Sequence, residues 1–274
     1  MKQTKKPRTL RACKANPGIR AAYRRKLEAL IDEMRQDVES RILAEYEAME
    51  PRIAHDWTWR SPAARLEELM DGLVTRWMKK FSNAAMTISS SFLNSVRRGV
   101  QRNRRQSLLE AGVGGIKFNK SRFANEQYEA MLAYNVHLIK TIPTQYLDSV
   151  QEQVQRAVSN GLQRDELAKE LTLAYDVSYK RAKVIARDQT NKATQALARA
   201  TDEEIGITEG VWVHIPGRFT SRQTHIEMNG QPFKLAEGMF DPDPKVRRNI
   251  MPGELVLCAC QYRPVLPENW GVTV

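Results

Sequence analysis

Apolar residues recur three or four apart along most of this chain and lose that rhythm in its last quarter. From Ile19 to about Glu50, the positions Tyr23, Leu27, Leu30, Ile31, Met34, Val38, Ile42 and Tyr46 form one stripe. That is the spacing of a long helix with a single buried face. Pro51 is expected to stop it, and the stretch 55–60, with Trp57 and Trp59, reads as a turn carrying aromatics. A second helix is predicted from Ser61-Pro62, where serine caps and proline suits the first turn. Its stripe (Leu66, Leu69, Met70, Leu73, Trp77, Phe81, Ile88, Phe92, Val96) runs toward Leu109, and Gly112-Val-Gly-Gly115 ends it. Further helices are predicted over 122–141, 144–160, 164–174 and 178–205, the second with Tyr146, Val150, Val154 and Val158 four apart. Past Gly210, Val211-Trp212-Val213 and Leu255-Val256-Leu257 read as short strands among frequent Gly and Pro. The expected class is therefore mainly α: an elongated helical N-terminal region followed by a small α+β C-terminal module. The boundaries are placed at 1–18 for a basic flexible arm, 19–141 for the long helices and 142–274 for the rest. This last part divides into helices over 142–205 and an α+β tail over 210–274.

Charge adds a partner to this picture. The 274 residues are 42% hydrophobic and 27% charged, the balance of a folded chain, with a net charge of +11 that favours a polyanion. Ten Lys/Arg fall in residues 1–26, among them Lys2, Lys5, Lys6, Arg8 and Arg11, with no acidic residue to offset them. Such a segment is expected to be a mobile arm that meets phosphate. Arg97, Arg98, Arg102, Arg104 and Arg105 form a second cluster on a predicted helix end, to be read as a phosphate-binding stripe or as a solvated face. Cys13, Cys258 and Cys260 are an odd number and imply no disulfide framework, so a reducing cytoplasm is expected. The N-terminus lacks a signal-peptide pattern, and no apolar run of about 18 residues is present to span a bilayer.

The chemistry concentrates near the end of the chain. Cys258 and Cys260 flank one residue and, on an extended segment, point to the same side. His225 can join them once the chain reverses at Asn229-Gly230, which gives three donors of the kind zinc prefers. A fourth would come from His214, Asp241 or Asp243. The competing reading is a hydrogen-bonded histidine beside two small buried thiols. Gly112–Gly115 lacks the Gly-Lys-Ser/Thr of a phosphate loop. A cysteine-hydrolase dyad or a metal-dependent nuclease centred on His225 lacks its supporting residues, so no catalytic residue is assigned.

Taken in order, Ile185-Ala186-Arg187, Gly206, Trp212, Arg222-x-x-His225, Asn229-Gly230, Phe233, Pro252-Gly253 and Cys258-x-Cys260 resemble the phage head morphogenesis family, the Mu F-like minor head proteins. The resemblance covers roughly 142–267. The chain departs from the family pattern in having Asp188-Gln189 where Thr-Glu is usual, and Ala259 where arginine stands between the cysteines. The resemblance implies a minor protein of a tailed-phage virion, inside the head, associated with the portal and other capsid components. It further implies a part in procapsid assembly in the host cytoplasm, contact with packaged double-stranded DNA, and no membrane partner.

Overall fold

A computed structural model describes residues 7–48, 62–118, 122–216, 221–268 and 270. Lys2, Lys5, Lys6, Pro51, the aromatic turn at 55–60 and the Ser61 cap lie outside the described residues. The long helices are α1 (Pro17–Ala48), α2 (Pro62–Glu110), α3 (Arg122–Asn160) and α4 (Arg164–Glu204). Short elements follow: β1 (Glu209–Val213), α5 (Gln223–Glu227), β2 (Pro232–Lys234), β3 (Met239–Asp241), β4 (Arg248–Ile250) and β5 (Gln261–Pro264). The class is the expected one, mainly α with a small α+β part. No helix among the described residues is long and apolar enough to cross a membrane.

Two expected breaks are absent. The pairs 122–141/144–160 and 164–174/178–205 are each one helix, α3 and α4. Pro143 lies inside α3, buried. The hydroxyls of Thr141 and Thr144 donate to the carbonyls of Leu138 and Lys140, so carbonyls beside the proline gain partners of their own. In α4 the buried stripe passes through Leu167, Leu171, Ala174, Ser178, Ala182 and Ile185. Small residues at 174, 178 and 182 disguise a continuous face as a gap. The end of α2 matches the expectation: Gly112 takes φ 79°, and the Gly112 and Val113 amides donate to the carbonyls of Leu109 and Leu108.

The chain folds as two compact units. One, the helical unit, comprises residues 21–89 and 134–186. Tyr23, Leu27, Ile31, Met34, Val38 and Ile42 of α1 are buried as the periodicity predicts, with Trp77 and Phe81 of α2 and Tyr146, Val150 and Val154 of α3. Tyr46 is half-buried, and its hydroxyl donates to the Leu162 carbonyl at 2.6 Å. The other, the tail unit, comprises residues 1–20, 90–133 and 187–274. The expected boundary at 142 falls inside α3, away from the points where the chain passes between units.

In the tail unit, β1 is the centre of an antiparallel sheet ordered β2-β1-β5, while β3 and β4 form a separate hairpin. Trp212, Phe233 and Tyr262 pack edge to face on the sheet, with ring centroids 5.9 and 6.0 Å apart in successive pairs. The expected strand at 255–257 is instead a turn. Leu257 adopts φ 57°, its amide donates to Asp188 at 2.6 Å, and the Cys258 amide donates to the Leu255 carbonyl. That geometry leaves the strand to begin at Gln261.

The mobile-arm expectation is also corrected over the described part of 1–18. Thr9 bridges Val265, the Leu10 amide donates to the Pro264 carbonyl at 2.8 Å, and Leu10 and Cys13 are buried. Burial pushes the Cys13 thiol up to about 11, against the pull of Arg104. Two apolar side chains and a sheet edge in need of a partner outweigh the surrounding charge here.

Candidate metal centre

The turn following β1, the helix α5 and the segment between the 255–257 turn and β5 bring the expected residues together. His225, Cys258 and Cys260 are all buried, with ligand atoms within 4.8 Å of one another. His225 Nδ1 stands 3.4 Å from Cys258 Sγ and 3.5 Å from Cys260 Sγ, and His214 Nδ1 stands 3.6 Å from Cys260 Sγ. Donors held 2.0–2.3 Å from one zinc ion at tetrahedral angles lie about 3.5 Å apart. The nitrogen–sulfur spacings fit donors gathered around one metal ion, and the donor set is two thiols and imidazole.

Electrostatics point the same way. A hydrogen bond from Cys260, followed by the influence of His225, holds the Cys258 thiol well below its ordinary range despite burial. Sharing that bond with Cys258, together with burial, pushes the Cys260 thiol up. Both sulfurs face the same imidazole nitrogen, and a divalent cation placed among them can bind the thiolates and the ring together.

The surroundings fix the ligands in place. His225 is 2% exposed, and its other ring nitrogen, Nε2, lies 3.4 Å from a carboxylate oxygen of fully buried Asp241. Asp241, weighed from sequence as a ligand, therefore stands behind the histidine, where a carboxylate sets tautomer and ring orientation. Asp243 is drawn off by the turn, its amide donating to Asp241 Oδ1 at 3.0 Å. Trp212 is fully buried, with its ring centroid 5.5 Å from that of His225. The Asn229 side-chain oxygen accepts from the His214 amide at 2.9 Å, and Gly230, at φ 82°, donates to the Trp212 carbonyl. Arg222 precedes α5 and donates to the Val256 carbonyl at 3.1 Å. A cavity of about 360 Å³ opens on the cluster, lined by His214, Arg222, His225, Val256, Cys258 and Cys260 among others.

Behind the cluster runs a feature the periodicity does not reveal. The α4 face from Asp188 to Asp202 is polar and buried: Gln189, Thr190, Asn191, Thr194, Gln195 and Thr201 lie on it. Asp188 holds the Leu257 turn and pairs with Lys192 at 3.0 Å. Asn191 Nδ2 donates to the Cys258 carbonyl, and Gln195 Nε2 to the Cys13 carbonyl. Gly253, at φ 78°, fits against this face: an added Cβ would stand 2.8 Å from both Asn191 Nδ2 and Gln195 Cγ. The Pro252-Gly253 turn is thus a seat for α4. Arg187 is half-buried at the start of the same stretch.

The basic residues separate into different roles. Arg104, expected on a phosphate stripe, is fully buried and binds Asp202 at 2.5 and 2.8 Å, while Tyr262 donates to the same carboxylate at 2.6 Å. Burial alone pushes Asp202 up, and Arg104 and the Tyr262 hydroxyl oppose it. Arg104 Nη1 also donates to the Arg11 carbonyl at 2.8 Å. Its charge is spent inside the fold and cannot meet DNA. Arg8 donates to the carbonyls of Ala111 and Trp270. Arg97 and Arg105 lie over the rings of Tyr128 and Phe118, at 4.9 and 5.8 Å. Arg98 and Arg102 are exposed, and Arg11 reaches Glu110 at 3.0 Å.

Comparison with known proteins agrees with the ordered motif. Residues 148–263 match the family described as Phage Mu protein F like protein. An uncharacterized protein of Haemophilus influenzae is 37% identical over 145 residues, which are 53% of this chain and 30% of that relative. The match thus spans under a third of the relative's length. No solved structure matches. The Cys/His cluster and the α4 face behind it both lie within the matched residues, and over 148–263 this chain is similar to that family.

Proposed function

We propose that the protein is a minor head protein of a tailed phage, carried inside the capsid near the portal. In this reading it aids procapsid assembly in the host cytoplasm and touches packaged double-stranded DNA. The observation that carries the reading is the family match over 148–263, with its motif residues built into one site. The net charge of +11 supports the DNA contact. The test is composition: particles purified after nuclease treatment, from cells producing this protein together with the portal and capsid proteins of the same phage, are analysed by mass spectrometry. The protein is expected in DNA-filled heads and in procapsids. Its absence from both would reject the reading.

The Cys/His cluster is read as a structural zinc centre, with His225, Cys258 and Cys260 as ligands and His214 as the fourth. The 3.4–3.6 Å donor spacings support it. Bound zinc would supply folding free energy by joining the end of β1, α5 and the segment before β5. The alternative is a metal-dependent nuclease using His225. His225 faces thiols with one ring nitrogen and a buried carboxylate with the other, which leaves neither poised to take a proton from water. That geometry favours the structural reading. Plasmid cleavage that requires divalent metal and disappears in His225→Ala would reverse the preference.

A further inference from the structure

A cleft of about 610 Å³ opens between α2 and the segment leading into α1, and arginine dominates its walls. Ser95, Gly99, Arg102 and Gln106 recur along one side of α2, with Arg98 on the rim; Arg11, Asn16 and Ile19 form the opposite wall. No carboxylate lines it, and Ile19 is its one aliphatic side chain. Arg98 and Arg102 are exposed and four residues apart, which separates them by about 6 Å along the helix axis.

The scaffold holds this opening in place. The buried Arg104–Asp202 pair lies beneath it, with Arg104 holding the Arg11 carbonyl. The Arg11 amide donates to Ser107 at 2.9 Å, and Gln195 holds the Cys13 carbonyl. The wall carrying Arg11 is therefore fixed by buried polar contacts. Flanking arginines are occupied elsewhere, Arg97 and Arg105 by aromatic rings. Arg11 is held to one side by Glu110. Arg98 and Arg102 retain most of their donors, since Arg98 makes one long contact, 3.5 Å, to Ser95.

We propose that this cleft binds the phosphodiester backbone of duplex DNA, with Arg98 and Arg102 as the principal phosphate ligands and Asn16 as a supporting donor, while Arg11 and Gln106 are held at the rim by Glu110. Planar guanidinium forks match phosphate oxygens, and neutral amide and hydroxyl donors serve the same oxygens without reading bases. An acidic peptide would want apolar pockets for its other side chains, and the walls offer almost none. The proposal rests on the DNA contact suggested above and narrows it from the whole basic surface to one place.

The test uses the full chain, a labelled 20-base-pair duplex and a salt series. Arg98→Ala/Arg102→Ala is expected to reduce the slope of log affinity against log salt by close to two, about 0.9 for each phosphate no longer neutralised. Gly99→Met fills the cleft without altering charge and is expected to weaken binding. Lys169→Ala/Lys180→Ala, which removes two exposed charges from the helical unit, is expected to leave the slope almost unchanged. Equal effects of the two double variants, or tight binding by Gly99→Met, would overturn the cleft and leave the general DNA contact standing. Failure of the unaltered chain to bind duplex would overturn both. Polyglutamate held as tightly as DNA, and released in Arg98→Ala/Arg102→Ala, would transfer the cleft to an acidic protein partner. Coincident thermal transitions of all variants show that folding is not the cause.

Discussion

The helical unit and the tail unit solve the same problem with different chemistry. In the first, α1 buries Leu27, Ile31, Met34, Val38 and Ile42, and cohesion comes from aliphatic area removed from water. In the second, α4 buries Asp188, Asn191, Gln195 and Asp202, and each of these side chains holds a named backbone or side-chain group. Apolar burial tolerates many sequences of similar volume, whereas a buried polar face specifies one arrangement or fails. The difference teaches where to expect tolerance: in the helical unit for composition, in the tail unit for almost nothing at these positions.

The largest expected effect comes from the Cys/His cluster proposed above as a zinc centre. Zinc should copurify with the protein at one ion per chain, and Cys258→Ser/Cys260→Ser should abolish it. Chelation or this variant should speed hydrogen exchange of the β1 and β5 amides by orders of magnitude, because structural zinc contributes of order 10 kcal/mol in zinc-finger peptides. Amides of α1 should change little. Equal loosening of both units would break the comparison. Next comes Arg104→Met, which strands buried Asp202 and should cost about 3–5 kcal/mol in denaturant unfolding. Arg104→Met/Asp202→Leu should recover much of that loss.

Within the helical unit, Ile31→Ala removes a fully buried side chain and should cost about 2–5 kcal/mol. Ile31→Leu should cost less than about 1.5 kcal/mol, which is the tolerance that Asp188 and Asn191 should not show. A smaller effect is expected from Asp241→Asn. It keeps the fold but removes the carboxylate behind His225, and should weaken zinc about 10–100-fold in a chelator competition. Unchanged affinity would mean that Asp241 acts in the hairpin alone. The smallest effect concerns Asp37. Burial pushes its carboxyl up, but hydrogen bonds from Arg41 and Trp77 and the charge of Arg76 prevail and hold it below the ordinary range. A depressed native value adds stability above the unfolded-state value, near pH 4, that is lost as pH falls through the native one. Asp37→Asn should therefore flatten the acid limb of unfolding, by no more than about 1 kcal/mol.

How much of this is legible in the sequence follows the same division. The α1 stripe and the end of α2 are readable because each apolar position has one plausible fate at helical spacing. The convergence of His225 with Cys258 and Cys260 is readable too, since few residue types carry that chemistry. Two helix breaks are false signals. At Pro143 the helix continues through the proline, with hydroxyls bonded to carbonyls one residue either side of the freed one, and near 174–178 alanine and serine carry the buried stripe. The 255–257 segment looks like a strand from its valine and leucines; Asp188, far off in sequence, holds it in a turn. Arg104 reads as a surface residue because a charged residue in a basic run gives no local sign of Asp202. Asp241 stands out as a candidate, but its place behind the ligand depends on a hairpin whose strands have three residues each.

The bridge between Thr9 and Val265 has a consequence for time as well as for shape. A ribosome delivers residues in order, so β1 waits for Gln261–Pro264 to pair along one edge, and the segment at Leu10 waits for the same stretch. The segment carrying Leu10 and Cys13 meets α2 first, through Asn103, Arg104 and Ser107, then Gln195 of α4, and gains its sheet partner only when Pro264 and Val265 are made. Contacts between positions so far apart in sequence form slowly. The sheet of the tail unit therefore closes late, once residues 261–265 have emerged.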